Sequence, residues 1–227
     1  MSRTIRAQRR AATLGWIART GPVTAGALAV REGCGLASAR SHLAALARAG
    51  LVRRSAPLRD APPLYTISPH GLRTAGTRGV APAPVSAAAA AHAIACAEVA
   101  VRLQARWPEL EVIGEHAIRA RERDGVPSLS CLAGTLTADG RHVTHRADLA
   151  VIGEPPLVVE VELTAKAPAR LARICRAWAR CSTVSGVLYV VSASAQQPVA
   201  RAVAREHAGS RIAIVRLAAL GVAERPH

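Results

Sequence analysis

Between His145 and Lys166 the chain reads His-Arg-Ala-Asp-Leu-Ala-Val-Ile, Gly-Glu-Pro-Pro, Leu-Val-Val-Glu-Val-Glu-Leu-Thr-Ala-Lys. Two apolar runs of β type meet at a Gly/Pro turn and carry three carboxylates, Asp148, Glu160 and Glu162. Strand side chains alternate, so Glu160 and Glu162 share one face while Val159, Val161 and Leu163 share the other. Their backbones are about 6.5 Å apart along a strand. Two bare carboxylates at that spacing repel by roughly 2.5 kcal/mol at an effective dielectric of about 20. If Asp148 joins them from the adjacent strand, the repulsion grows. A hard cation such as Mg²⁺ or Mn²⁺ relieves it, because such ions prefer oxygen ligands. Lys166, the one lysine of the chain, follows at once. His145 reads as a surface or supporting histidine rather than a ligand. An alternative makes Glu160 and Glu162 the exposed face of an edge strand, paired by Arg146 or Arg170.

The net charge of +15 is unevenly placed. Residues 1–80 hold thirteen arginines against Glu32 and Asp60, and residues 81–227 are nearly balanced by comparison. A basic N-terminal block points to a polyanion, most simply double-stranded DNA. No basic amphipathic helix carries the bulky aromatic anchors that a membrane surface would select. No apolar run approaches twenty residues, and no secretory leader is visible. The expected location is cytoplasmic, with the nucleoid or a plasmid. Cys34, Cys96, Cys131, Cys175 and Cys181 form no Cys-x-x-Cys pair and no His/Cys spacing typical of zinc, so they read as reduced, buried thiols.

Helical spacing is predicted over 3–19, after Thr24 as N-cap, and over about 36–49, where Ala49-Gly50 marks the stop. Two short strands around a long basic loop follow, near Leu51–Arg54 and Leu64–Ser68. Residues 76–90 are rich in Gly, Pro, Ala, Ser and Thr and lead into a helix over about 87–106. Beyond it the pattern predicts a strand near 111–118, an irregular charged patch at 119–127, and a hairpin of 131–137 with 142–152 turned at Asp139-Gly140. A strand at 157–164, a helix at 168–181, a buried central strand from Gly186 to Ser192, a helix near 197–208 and a strand at 211–217 complete the chain.

Residues 4–76 resemble a winged helix-turn-helix domain, through Val23–Gly35, the Ser38-Ala39-Arg40-Ser41-His42-Leu43 helix and the Ala49-Gly50-Leu51-Val52 entry to the hairpin. That resemblance implies that Ser38, Arg40, Ser41 and His42 reach base edges in the major groove. Arg53, Arg54 and Arg59 on the wing would then lie over phosphates or a minor groove. The order helix, strand, hairpin, strand, helix, strand over 87–192 is similar to the PD-(D/E)xK, or restriction-endonuclease-like, superfamily. The family aspartate falls on Asp148, preceded by Ala147 where the pattern has proline. Its second acid falls on Glu160. Its lysine position holds Glu162, as in Glu-x-Glu variants, and Lys166 offers the missing cation. The resemblance implies Asp148, Glu160 and Glu162 as Mg²⁺ or Mn²⁺ ligands, with Lys166 as the fourth catalytic group. Arg170 and Arg173 would hold the DNA backbone, and Glu98 would contribute through water. The whole arrangement also resembles the replication-relaxation proteins of actinobacterial plasmids and mobile elements, through His92–Leu103 and Glu160–Thr164.

The expected fold is therefore α+β. A winged helix of three helices plus a β-hairpin occupies 1–78, a linker 79–90, and an α/β restriction-endonuclease-like domain with a mixed central sheet 91–227. Two functions compete. One is a DNA-docking protein that nicks or cleaves DNA with a divalent metal. The other is a non-enzymatic regulator of transcription or replication whose nuclease-like domain serves for structure or homodimerisation. A protein-binding adaptor is the third.

Overall fold

The computed structural model describes residues 3–77, 80, 84–125, 129–136 and 142–224. Three helices open the chain: α1 (Arg3–Thr20), α2 (Ala25–Glu32) and α3 (Leu36–Arg48). Thr24 caps α2, its Oγ1 accepting the Ala27 N–H at 3.0 Å. Gly50 adopts φ 68° just after α3, the left-handed conformation that lets the chain turn away. Strands β1 (Val52–Ser55) and β2 (Leu64–Ile67) then pair antiparallel, with Val52 opposite Ile67. A helix not expected from the sequence, α4 (Pro69–Thr74), starts at Ser68, whose hydroxyl accepts the Gly71 N–H at 2.9 Å. Leu14, Ile17, Leu28, Leu43, Tyr65 and Ile67 belong to the core beneath these elements.

Helix α5 (Ala87–Arg106) ties this region to the rest. Its alanine-rich start favours helix, Ser86 caps it, and it ends at Trp107, before Pro108. Ala97 and Val101 enter the N-terminal core, whereas Ala95, Val99 and Leu103 pack beneath the large sheet. The first turn of α5 falls inside the segment expected as linker. There Ala90 and Ile94 pack with Leu64 and with Leu58 and Ala61 of the hairpin loop. The two halves are thus joined by packing as well as by chain.

The large sheet has the order β3 (Glu111–Gly114), β6 (Leu149–Ile152), β7 (Leu157–Glu162), β8 (Gly186–Val191) and β9 (Ile212–Arg216). β3, β6 and β7 are successively antiparallel, and β7, β8 and β9 are parallel. Parallel neighbours need crossovers, supplied by α7 (Pro168–Ala179) and α8 (Ala193–Arg205). Val159, Val161 and Val190 face α5, while Val158, Val187 and Val191 face α7 and α8. A separate hairpin, β4 (Ser130–Leu136) with β5 (His142–Arg146), stands beside α7. Among the described residues no helix is long and apolar enough to cross a membrane.

Several expectations change. The predicted strand at 111–118 stops at Gly114, and α6 (Glu115–Arg123) replaces the irregular patch. Ala117, Ile118 and Ala120 bury one side of that helix, and Glu115 and Arg123 suit its two ends. The predicted strand at 142–152 divides at Ala147-Asp148 into β5 and β6, which lie in different sheets. The turn at Asp139-Gly140 lies outside the described residues. Helix α8 begins at Ala193 rather than near 197, because Ser192 is the cap and Pro198 is interior. The edge-strand alternative is overturned: β7 is third of five strands, and Glu160 and Glu162 are 1% and 3% exposed.

Gly114 lies where the last residue of α1 meets the sheet, and a Cβ there would collide with the Thr20 carbonyl oxygen. Gly114→Ala is therefore expected to destabilise the fold by about 1–3 kcal/mol. Gly209→Ala, with no atom within 4 Å of the added carbon, should stay within about 0.5 kcal/mol of the parent. Urea midpoints of the two variants check the contrast.

Candidate functional site

The acidic residues gather where β6 stops and β7 continues. Leu149 pairs with Val159, so Asp148 falls one step beyond the ladder, opposite Glu160. The N–H and C=O of one strand residue point to the same edge, and here both groups of Val161 face a strand that has ended. Asp148 Oδ2 accepts the Val161 N–H at 2.8 Å. His92, reaching up from α5, brings Nε2 to 3.1 Å from the Val161 carbonyl oxygen and 3.2 Å from Asp148 Oδ2. Two side chains thus stand in for the missing β6 backbone. Cys96 lies one turn along α5, its Sγ 3.6 Å from Nδ1 and 3.8 Å from Nε2 of His92.

Glu160 points to the α7 side of the sheet. Its Oε1 accepts the Trp178 indole N–H at 2.9 Å and lies 2.9 Å from His145 Nε2. The His145 and Trp178 rings meet edge to face, 6.3 Å apart. Glu162 pairs with Lys166. Arg146 pairs instead with Glu122, and the described contacts bring neither Arg146 nor Arg170 to the two glutamates. Glu98 lines a separate cavity of about 260 Å³ beside Ser192 and Glu224.

Ionisation follows from these partners. Burial pushes the Glu160 carboxyl up and the Asp148 charge adds to this, while the His145 hydrogen bond opposes it. Burial also works against the Asp148 charge. There the hydrogen bond and charge of His92, with the Val161 amide, outweigh burial and lower the carboxyl below its usual range. His92 is raised by the Cys96 sulfur first and by Asp148 as well, against its burial. Burial raises the Cys96 thiol. For His145, burial works to lower the imidazole, but the Glu160 hydrogen bond and charge raise it overall.

Magnesium fits this trio in donor chemistry, and one oxygen of each carboxylate already has a partner within the chain. Glu160 Oε1 already accepts from two partners, Glu162 holds Lys166, and Asp148 Oδ2 holds an amide and an imidazole. The group of three His, Cys, Asp or Glu donors found within 4.8 Å of one another among the described residues is His92, Cys96 and Asp148. Sequence reasoning passed over His92, Cys96 and Trp178 as site residues. The legible signal was the His-x-x-x-Cys spacing on α5, which puts both side chains on one helix face.

The expected DNA-facing residues divide. Ser38, Arg40 and Ser41 are exposed on α3, and Arg53, Arg54 and Arg59 are exposed on β1 and its loop. Arg170 and Arg173 are exposed on α7. His42 turns inward, its Nε2 3.1 Å from Thr13 Oγ1, and Thr13 in turn donates to Glu32, which Arg9 holds. Burial lowers the His42 imidazole, and Arg9 lowers it further.

A model of the replication-relaxation family matches residues 14–188. The chain belongs to the replication-relaxation family. The match spans α3, the β1–β2 hairpin, α5 and all of Asp148, Glu160, Glu162 and Lys166. No curated protein and no solved structure matches the chain. Family membership therefore covers both halves of the molecule, and residue roles within it rest on the geometry above.

Two outcomes follow from that geometry. Lys166→Met leaves Glu162 buried without its cation and is expected to cost about 3 kcal/mol, most of it recovered when Glu162→Gln is added. Urea midpoints of the two singles and the double measure the coupling, and an unchanged Lys166→Met midpoint would contradict the pairing. His42 has a folded-state pKa below its unfolded value of about 6.5. Its contribution to stability is present above that unfolded value and lost as pH falls through the lower folded one. His42→Gln should therefore flatten part of the fall in melting temperature between roughly pH 7 and pH 5.

Proposed function

We propose that this member of the replication-relaxation family is a DNA-binding protein acting in the replication or relaxation of a plasmid or other mobile element. Its first three helices and hairpin serve as a winged helix, with α3 in the major groove and β1 with its loop over the phosphates. One contrast carries the reading. Arg9, Arg19, Arg119, Arg121, Arg146, Arg176 and Arg216 pair with carboxylates of the chain. Among the described residues, no carboxylate forms an ion pair with Arg40, Arg53, Arg54, Arg59, Arg170 or Arg173. Unpaired, exposed guanidinium groups are what a polyanion recruits, and each phosphate they neutralise releases a counterion. In this reading the buried carboxylates are closed by the protein's own donors, and the sheet domain supports docking rather than cleavage.

A second reading is metal-dependent cleavage, with Mg²⁺ or Mn²⁺ on Asp148, Glu160 and Glu162 and with Lys166 at the phosphate. The observation that favours it is the placement of Asp148 opposite Glu160, close enough for Glu160 to feel the Asp148 charge and for both carboxylates to feel Lys166. It requires His145 and Lys166 to leave their partners first.

One experiment separates the two. The purified chain is titrated onto duplex DNA over a salt series and incubated with supercoiled plasmid in Mg²⁺ or Mn²⁺. Six phosphate contacts would give a log-log salt slope of about −5, falling to about −2.5 when Arg53, Arg54 and Arg59 are all changed to Ala. No nicking is expected. Metal-dependent nicking that disappears in Asp148→Ala and Glu160→Ala would replace the first reading by the second. The absence of salt-sensitive binding to duplex DNA would overturn both readings.

A further inference from the structure

Outside the acidic trio, the described residues bring together one set of donors suited to a softer metal. His92 and Cys96 are four residues apart on α5 and so lie on one face of the helix. Asp148 reaches them from the start of β6. One nitrogen of His92, the Cys96 sulfur and a carboxylate oxygen of Asp148 lie within 4.8 Å of one another. The edges of this triangle can be compared with an ion's demands. Tetrahedral zinc, with bonds of about 2.0–2.1 Å to nitrogen or oxygen and about 2.3 Å to sulfur, needs an N···S edge of about 3.6 Å and an N···O edge of about 3.3 Å. For Nε2, the nitrogen beside Asp148, the structure has an N···S separation of 3.8 Å and an N···O separation of 3.2 Å, and the 3.6 Å approach of the sulfur is to Nδ1. The two Nε2 edges are within a few tenths of an ångström of the requirement and the S···O edge is within 4.8 Å, so the sulfur, nearly equidistant from both ring nitrogens, swings toward Nε2 as the ion enters.

Donor chemistry points the same way. A thiolate with an imidazole selects zinc and its transition-metal neighbours over magnesium or calcium. The His92 side chain is 41% exposed and that of Asp148 20%, so the cluster lies near the surface.

We propose that His92, Cys96 and Asp148 form a binding site for a zinc-class divalent ion, with three protein ligands and a fourth position open to water. The site is independent of DNA docking by the N-terminal half. It shares only Asp148 with the acidic trio, so zinc there and magnesium on the trio would compete for one carboxylate. Before the ion binds, His92 and Asp148 hold each other and the freed backbone of Val161. On binding, the ion takes over their mutual contact. One metal would then link α5 to the end of β6 at the seam between helix and sheet.

Cobalt(II) chloride is the probe, because a thiolate bound to tetrahedral Co²⁺ gives a ligand-to-metal charge-transfer band. The full chain, reduced and freed of metal, is titrated with Co²⁺ and then with Zn²⁺. The expected result is one ion per chain, a charge-transfer band, and loss of the band as Zn²⁺ displaces Co²⁺. Cys96→Ser should abolish the band and Cys181→Ser should keep it. His92→Gln and Asp148→Asn should each weaken binding by about tenfold or more. Circular dichroism checks that each variant is folded. A second measurement needs no variant: Zn²⁺ should protect Cys96 of the native chain, and not Cys181, from alkylation mapped by mass spectrometry. A native chain that gives no band and no protection overturns the site. So does a band that survives in folded Cys96→Ser.

Discussion

A carboxylate taken from water into a protein interior must find a proton, a cation or several donors, because solvation of its charge is worth more than most packing interactions. The third strand of the sheet, β7, carries two such groups, Glu160 and Glu162, on a face otherwise packed by Val158, Trp178 and Ile174. Much of the local structure follows from closing them. Trp178 presents its indole N–H inward from α7, β5 delivers His145, and Lys166 folds back from the entrance to α7 onto Glu162. Asp148 solves a related problem, the unpaired amide of Val161 where β6 ends, and His92 takes the carbonyl of the same residue. The acidic cluster is therefore held by donors from four separate parts of the chain. That closes each carboxylate with at least one donor, while burial and the nearby Asp148 still push the Glu160 carboxyl up.

The same economy of contacts joins the two halves. Helix α5 turns Ala97 and Val101 to the helical N-terminal core and Val99 and Leu103 to the sheet. Gly114 lets the sheet approach the end of α1, and Arg19 pairs with Glu111 across the junction. The N-terminal helices and hairpin, packed in this way, carry exposed Arg40, Arg53, Arg54 and Arg59 on the same body as α7, whose Arg170 and Arg173 are also exposed. DNA docking as proposed would gain from that packing, since fewer degrees of freedom would be lost on binding.

Much of this was legible in the residues, and the limits are physical. Long periodic segments such as 87–106 and the apolar run from Gly186 were readable, because burial imposes their spacing. Thr24 and Gly50 announced their turns through side-chain chemistry. The neighbouring placement of Asp148 and Glu160 followed from strand alternation and a Gly/Pro turn. What could not be read were contacts between elements. Nothing local says that Trp178 and His145 meet on Glu160, or that His42 turns toward Thr13 instead of outward. The break at Ala147-Asp148 was hidden because both flanking segments are β-prone, and only the departure into a second sheet separates them. Helix α6 was missed because its charged residues dominate a short stretch whose buried side is small, Ala117, Ile118 and Ala120.

The contacts that the chain itself makes to Asp148, Glu160 and Glu162 compete with any hard cation for these carboxylates. A crystal of the full chain grown with Mn²⁺ and measured for anomalous scattering decides which prevails. The expected result is no manganese peak between Asp148 and Glu160, with His145 and Trp178 still on Glu160 and Lys166 still on Glu162. A manganese peak bridging Asp148 and Glu160, with His145 and Lys166 swung away, would contradict it.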